Sequence, residues 1–501
     1  MVMRATGGWI VAAALLVPAG ASAQPRPVRS VAGDRESIAV TIYNQDQALV
    51  REVRRVDLPA GELELAWEDV TARIRPETVL ARPVEGAALR ILEQNYRYDV
   101  LAPSTLLAEY VGRPVTLVHV VPGTGERRVQ QATLLSLGST SGGGYGYGGP
   151  EYVNPWECVY ELGGEVTFGG DWRVVVPDAI PEGFVVRPTL FWRADAAGAG
   201  VRRIEASYLT GGMSWGADYV LGLSADGTRG ELTGWVTLSN DSGIAFEDAR
   251  LQLMAGTVNL VPPPAPPALQ GRVVVTASAI TIREPGAPAF REESLFEYHQ
   301  YTLQRPTDLA DREQKQLELL SAPRVPLERH YRLYGLPYWL GSEQTGVQEN
   351  LHPQVWLEFV NAEADGLGIP LPAGTVRVYG ADPSGGGGRE FLGEDSIEHT
   401  AREERLKLRV GSAFDVVADR RQTDFQLRSS RQVESAWEVR LRNRKRTPVR
   451  VELREPTSGD WTVVDSSVPW TKESARELRF DVDCPPDREV VVTWRVRVNL
   501  Y

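Results

Sequence analysis

The chain has 501 residues, of which 42% are hydrophobic and 24% charged, with a formal net charge of −12. That length supports several domains with real cores, and the acidic balance excludes nucleic acid as a partner. With 48 Gly, 34 Pro and many Val, Thr, Tyr and Trp, the composition favours strands and turns over helices.

Residues 1–23 read as a signal peptide. Arg4 precedes a short apolar run, Trp9 to Val17, that Pro18 and Gly20 break. Ala21-Ser22-Ala23 then gives a small-x-small cleavage site before Gln24. The run is too short to anchor the chain permanently, and no later stretch is long and apolar enough for a transmembrane segment. No Cys lies near the cleavage point for a lipid. The expected location is therefore exported, periplasmic or extracellular.

A polar leader, 24–35, precedes the first alternation at Ile38, Val40 and Ile42. Strands follow at 48–58, at Leu63, Leu65 and Trp67, and at 88–92. One helix is predicted at 104–111. Ser104 caps it, Leu106, Leu107, Tyr110 and Val111 share a face, and Gly112 and Pro114 end it. Strands resume at 115–120 and 130–135. The Gly/Tyr-rich stretch 141–155 is a loop. Further strands fall at 158–162, 172–176, 188–192 and 203–209.

Residues 207–240 hold close-packed β runs carrying Tyr208, Trp215, Tyr219 and Trp235, with Gly211 and Gly212 turning the chain. The aromatics read as core and cross-strand packing. After a strand at 249–255, residues 262–291 form a Pro-rich linker. Strands return at 296–303, 315–320, 328–333, 355–359 and 374–379, with a glycine loop tip at 385–388. The last seventy residues repeat strand-length runs about every ten residues, a rhythm of immunoglobulin-like sandwiches.

The expected fold is mainly β: antiparallel β-sandwich domains, immunoglobulin-like at the C-terminus, with one short helix near 104–111. The expected division is an N-terminal β-domain at 35–190 and a main β-sandwich domain at 191–261 plus 292–501. Cys158 and Cys484 permit one disulfide in an oxidising compartment, or two separate thiols.

Several blocks resemble the bacterial domain-of-unknown-function 4139 family. They are Ala48–Gly61, Ser207–Leu221, Leu232–Gly243, Ala249–Asn259, Gly366–Tyr379, Phe391–Thr400 and Gly411–Phe425. The resemblance implies an exported or envelope-associated, mucoidy-inhibitor-like β protein. Some members carry a coiled coil after an N-terminal β-domain. This chain has no heptad region, so that module is absent or reduced to the 104–111 helix. The resemblance carries over no activity and no catalytic residue.

Tests for chemistry mostly fail. Gly144 to Gly149 matches G-x-G-x-x-G, but Pro150 and Pro155 follow where a dinucleotide site needs a helix. His119, His299, His330, His352 and His399 show no zinc spacing. Ser139 and Ser141 lack the sharp turn that presents a nucleophile. Asp415, Asp419 and Asp424 beside Arg420 and Arg421 read as surface ion pairs. Arg440 to Arg446 reads as a charged hairpin tip. His399 reads as a solvated hairpin tip, the alternative being a polar loop with Glu394 and Asp395. No cofactor or metal is expected.

Loop aromatics remain as candidate contacts with an envelope protein or polysaccharide: Tyr145, Tyr147, Trp156, Tyr338 and Trp339. The leading expectation is an exported, non-enzymatic interaction or scaffold protein of the cell envelope. The alternative is an envelope hydrolase acting on polysaccharide or peptide.

Overall fold

The computed structural model describes residues 26–86, 88–97, 103–121, 125–137, 158–169, 172–176, 187–256, 258–259, 289–336, 342–381, 388–457 and 459–499. The chain is mostly β, with several antiparallel sheets, and Pro103–Glu109 is the one α-helix among the described residues. No helix among them is long and apolar enough to cross a membrane. The expected signal peptide at 1–23, the stretch 141–155 expected as a loop and most of the expected 262–291 linker lie outside the described residues. The last strand-forming residues of that linker do not, since the strand Phe290–Leu295 begins inside it. The run expected as one strand over 296–303 is instead the turn, Phe296 and Glu297, and the second strand, Tyr298–Leu303, of a hairpin whose first strand is Phe290–Leu295.

The described residues form six sheets. The first orders Arg26–Ser30, Gly61–Glu68, Thr189–Ala196 and Leu89–Arg97. The second joins Arg35–Tyr43 and Gln47–Leu58 to Gly200–Thr210 on one side and Phe246–Ala255 on the other. The pairing of Gln47–Leu58 with Gly200–Thr210 runs unbroken from Leu58↔Gly200 to Ala48↔Thr210. Backbone hydrogen bonds therefore cross the division expected at 190/191. The third sheet holds Glu313–Pro326, Arg229–Asn240, Met213–Leu223, Gly374–Ala381 and Arg389–Ile397.

A fourth, small sheet is an excursion. The chain leaves the first sheet after Arg97 and returns at Thr189 on the adjacent antiparallel strand. In between, five short strands pack with the helix on a separate core of Leu107, Tyr110, Val115, Leu117, Leu134 and Tyr160. The fifth sheet contains Arg405–Ser412, Gln354–Val360, Glu328–Tyr334 and Val449–Pro456; the sixth contains Val416–Ser429, Gln432–Asn443 and Arg488–Asn499. These last two enclose a core around Trp437, Phe480 and Trp494. Cys158 and Cys484 are buried in different cores, so no bridge joins them.

The stretch 207–240 obeys the period of two. Trp215 and Tyr219 are buried and point into the largest core. Trp235 is opposite Asp218 and stands half-buried on the outer face, so its expected core role is not met. Gly212 has φ +80, and a Cβ there would meet the Asp241 carbonyl oxygen at 2.5 Å. Only glycine fits that turn.

Three buried asparagines mark the corners. Asn240, Asn361 and Asn443, at 3%, 0% and 0% exposure, stand where the chain leaves one sheet for another. Asn443 Nδ2 donates to the carbonyls of Thr447, Cys484 and Pro485 at 2.9, 3.0 and 3.2 Å. Its Oδ1 accepts the Lys445 N–H at 2.9 Å. Asn240 and Asn361 repeat the pattern, donating to Ile244, Leu309 and Ala310, and to Ile369 and Ala401. The side chain satisfies carbonyls that neither sheet can pair. Asn443→Ala is expected to cost about 2–3 kcal/mol because it orphans buried acceptors. Urea unfolding of the variant measures this, and an unchanged midpoint would refute the corner role.

Candidate functional site

The five sequence-predicted contacts, Tyr145, Tyr147, Trp156, Tyr338 and Trp339, all lie outside the described residues. Of their neighbours, Tyr331 is buried under Lys445 and Tyr334 is exposed. The search for chemistry therefore turns to groups that the sheets assemble.

The richest cluster stands on one face of the fifth sheet. Alternation aligns Glu328, His330 and Arg332 on one strand, and register places Glu358 opposite Glu328 and Trp356 opposite His330. The parallel neighbour sets Glu452 beside Arg332. His330 Nδ1 lies 2.8 Å from Glu452, and its Nε2 lies 3.5 Å from Glu328. The ligand atoms of Glu328, His330 and Glu358 all lie within 4.8 Å of one another. Two carboxylates directly opposite would repel. Arg405 relieves this, reaching Glu328 at 2.8 Å and Glu358 at 3.4 Å. Arg332 bridges Glu358 at 2.5 Å and Glu452 at 3.0 Å, and lies 5.3 Å from the Trp356 ring centre.

The arginines set the protonation states. The hydrogen bond from Arg405 holds Glu328 below its ordinary value. For Glu452, burial is the largest influence and pushes upward, but Arg332 and Arg454 together outweigh it and hold the carboxyl at about 2. A general acid–base residue needs a pKa near the working pH, whereas Glu328 and Glu452 are held as anions. A cation would compete with Arg405 for the same oxygens. The sequence spacing carried no signal for this cluster, since its members come from four strands. The alternate charges of Glu328-Arg-His-Tyr-Arg332 are the trace that sequence leaves of a polar sheet face.

Because its folded pKa is depressed, Glu452 contributes stability present above about pH 4.5 and lost as pH falls through about 2. The contribution is about 3 kcal/mol at neutral pH. Glu452→Gln is expected to flatten the acid limb of stability against pH. An acid limb as steep as that of the parent chain would contradict the pairing.

Other expected surface charges are placed differently. Arg420 does not pair on the surface with Asp415, Asp419 or Asp424. It is 2% exposed and bonded to the fully buried Glu455 at 2.5 Å. The alternation of Val416–Ser429 turns it inward, over the Trp437 ring at 4.6 Å. Asp419 pairs instead with Arg442, and Asp424 with Arg495 at 2.7 Å. The basic hairpin 440–446 is thereby partly neutralised, since Arg440 also pairs with Glu438 at 2.8 Å. His399 does not join Glu394 and Asp395. It accepts the Ala373 N–H at 3.1 Å, and burial lowers its pKa.

Two open grooves stand out among the described residues. One, of about 410 Å³, lies beside Arg250, Arg291 and Arg305. The larger, of about 770 Å³, lies on the outer face of the first sheet, against Arg29, Ala66, Glu68, Asp69, Arg187 and Phe191. The Glu328–His330–Glu358 cluster lines neither groove. No model of a known protein family matches the chain, and no curated protein matches it.

Proposed function

We propose that this chain is an exported, non-enzymatic interaction or scaffold protein of the cell envelope. The observation that carries the choice is the state of the histidine–carboxylate cluster. Glu328 and Glu452 are held as anions by Arg405, Arg332 and Arg454, and the cluster sits outside both grooves. A hydrolase site needs the opposite, a carboxyl with a raised pKa facing a cleft. Of the two carboxyls that burial raises among the described residues, Glu455 is fully enclosed, where no substrate reaches it, and Asp46 lines neither groove.

Export rests on the 1–23 leader, and the blocks that resemble the domain-of-unknown-function 4139 family support the same compartment. An immunoglobulin-like C-terminal unit belongs to this proposal. In its favour, the strands from Gln432–Asn443 to Trp470–Ser474 alternate between the sixth and fifth sheets. Capture from an envelope extract with the tagged full chain tests the function. Recovery of a specific envelope protein or polysaccharide is expected. Recovery of nothing, with cleavage of a glycan or peptide library by the purified chain, would favour the hydrolase.

A further inference from the structure

We infer that the larger groove, on the outer face of the first sheet, is a binding site for a neutral saccharide. The inference rests on reading the chain as a binding protein and names the class of ligand. Alternation makes the groove. Leu63, Leu65, Trp67, Leu190 and Trp192 enter the core, so Glu64, Ala66, Glu68 and Phe191 face outward. Register then places Ala66 between Arg29 on one neighbouring strand and Phe191 on the other. The methyl of Ala66 leaves a floor between two taller walls.

One wall is a braced aromatic ring. Arg97 lies 4.2 Å from the Phe191 ring centre and is not a groove-lining residue. It therefore supports the ring from outside the groove, and the opposite side of the ring is left for a ligand. The polarised C–H face of a pyranose packs on the negative face of such a ring.

The opposite rim is polar and already ordered. Arg29 forks onto both oxygens of Glu68, the second bond being 2.7 Å. Arg187 reaches Asp69 at 2.5 Å, and Asp69 also accepts the Ala32 N–H at 2.9 Å. Arginine offers five N–H groups in a fork, and a carboxylate has several acceptor positions, so each pair keeps donors and acceptors for a ligand. Sugar hydroxyls both donate and accept, and match such a rim.

Charge selects against ionic ligands. Two arginines face Glu64, Glu68 and Asp69, so an anion meets a net negative groove. A small cation would use the carboxylates but not the ring. The volume, about 770 Å³, falls within the range of small-ligand clefts, roughly 300–1,000 Å³.

The test titrates the full chain with maltohexaose, cellohexaose and chitohexaose, and with hexagalacturonate as the anionic counterpart, by calorimetry. At least one neutral oligosaccharide is expected to bind, and hexagalacturonate is not. Phe191→Ala should weaken binding at least tenfold. Ala66→Trp, which fills the floor without touching the core, should abolish it, with circular dichroism and Tm unchanged. Binding of none of the three neutral sugars overturns the site, as does preference for hexagalacturonate or full binding by Ala66→Trp. Release of new reducing ends from a bound sugar would instead contradict the non-enzymatic reading, so the two failures are distinguishable.

Discussion

Arg420→Met is expected to destabilise the chain by about 3–5 kcal/mol, because it strands a buried carboxylate. Arg420 and Glu455 are 2% and 0% exposed at the side chain, with 2.5 Å between them. Gly335 lies so close that a Cβ there would meet Glu455 Oε2 at 2.2 Å, so water has little room. Two charges taken from water are costly, and their attraction roughly repays that cost only while both are present. The double variant Arg420→Met with Glu455→Leu is therefore expected to recover most of the loss. Burial pushes the Glu455 carboxyl up to about 7, against the pull of Arg420. A raised folded pKa contributes stability below about pH 4.5 that is lost as pH rises through about 7. The comparison is best made at pH 8, where the Glu455 carboxyl of the parent chain is ionised and paired, so that losing Arg420 costs either a stranded charge or the uptake of a proton. Urea unfolding followed by the fluorescence of the tryptophans of this core gives the comparison. Equal losses in single and double variants would show that packing, rather than the stranded charge, matters here.

Trp67→Ala is expected to cost at least about 4 kcal/mol, joining a large cavity to a lost buried hydrogen bond. Trp67 is fully buried, 5.3 Å from the Trp192 ring and 4.3 Å from the Arg54 guanidinium. Its Nε1 donates to Glu52 at 2.6 Å, and Glu52 also receives Arg54 and Arg35 at 2.9 and 2.8 Å. Removing the indole both empties the core and takes a donor from a buried carboxylate. Trp67→Phe separates the two effects. It keeps most of the volume and loses the N–H, so its cost is expected near 1–3 kcal/mol. Thermal unfolding of both variants checks the order, and equal Tm values for the two would show that the lost N–H, and not the cavity, sets the cost.

Much of this fold was legible in the sequence because a strand with one buried face must alternate. Ile38, Val40 and Ile42, or Leu63, Leu65 and Trp67, name their own inward faces, and the structure buries each of them. The short helix was legible for the same kind of reason, from its spacing and its Gly112 stop. Partner choice between strands was not. Nothing local in Gln47–Leu58 says that it pairs with Gly200–Thr210, some 150 residues away, because register is a property of two segments. The same limit hid the polar clusters. Arg420 looks like a surface charge among Asp415, Asp419 and Asp424, and only the distant Glu455 makes its inward turn tolerable. Phe191 and Ala66 each look unremarkable, since a groove exists only once their strands are neighbours.

The central claim, that the chain binds envelope material without turning it over, is tested most directly by mass spectrometry of envelope glycan and peptide fragments incubated with the purified chain. The expected result is fragments retained on the protein with unchanged masses. Fragments that gain one water per broken bond would contradict it.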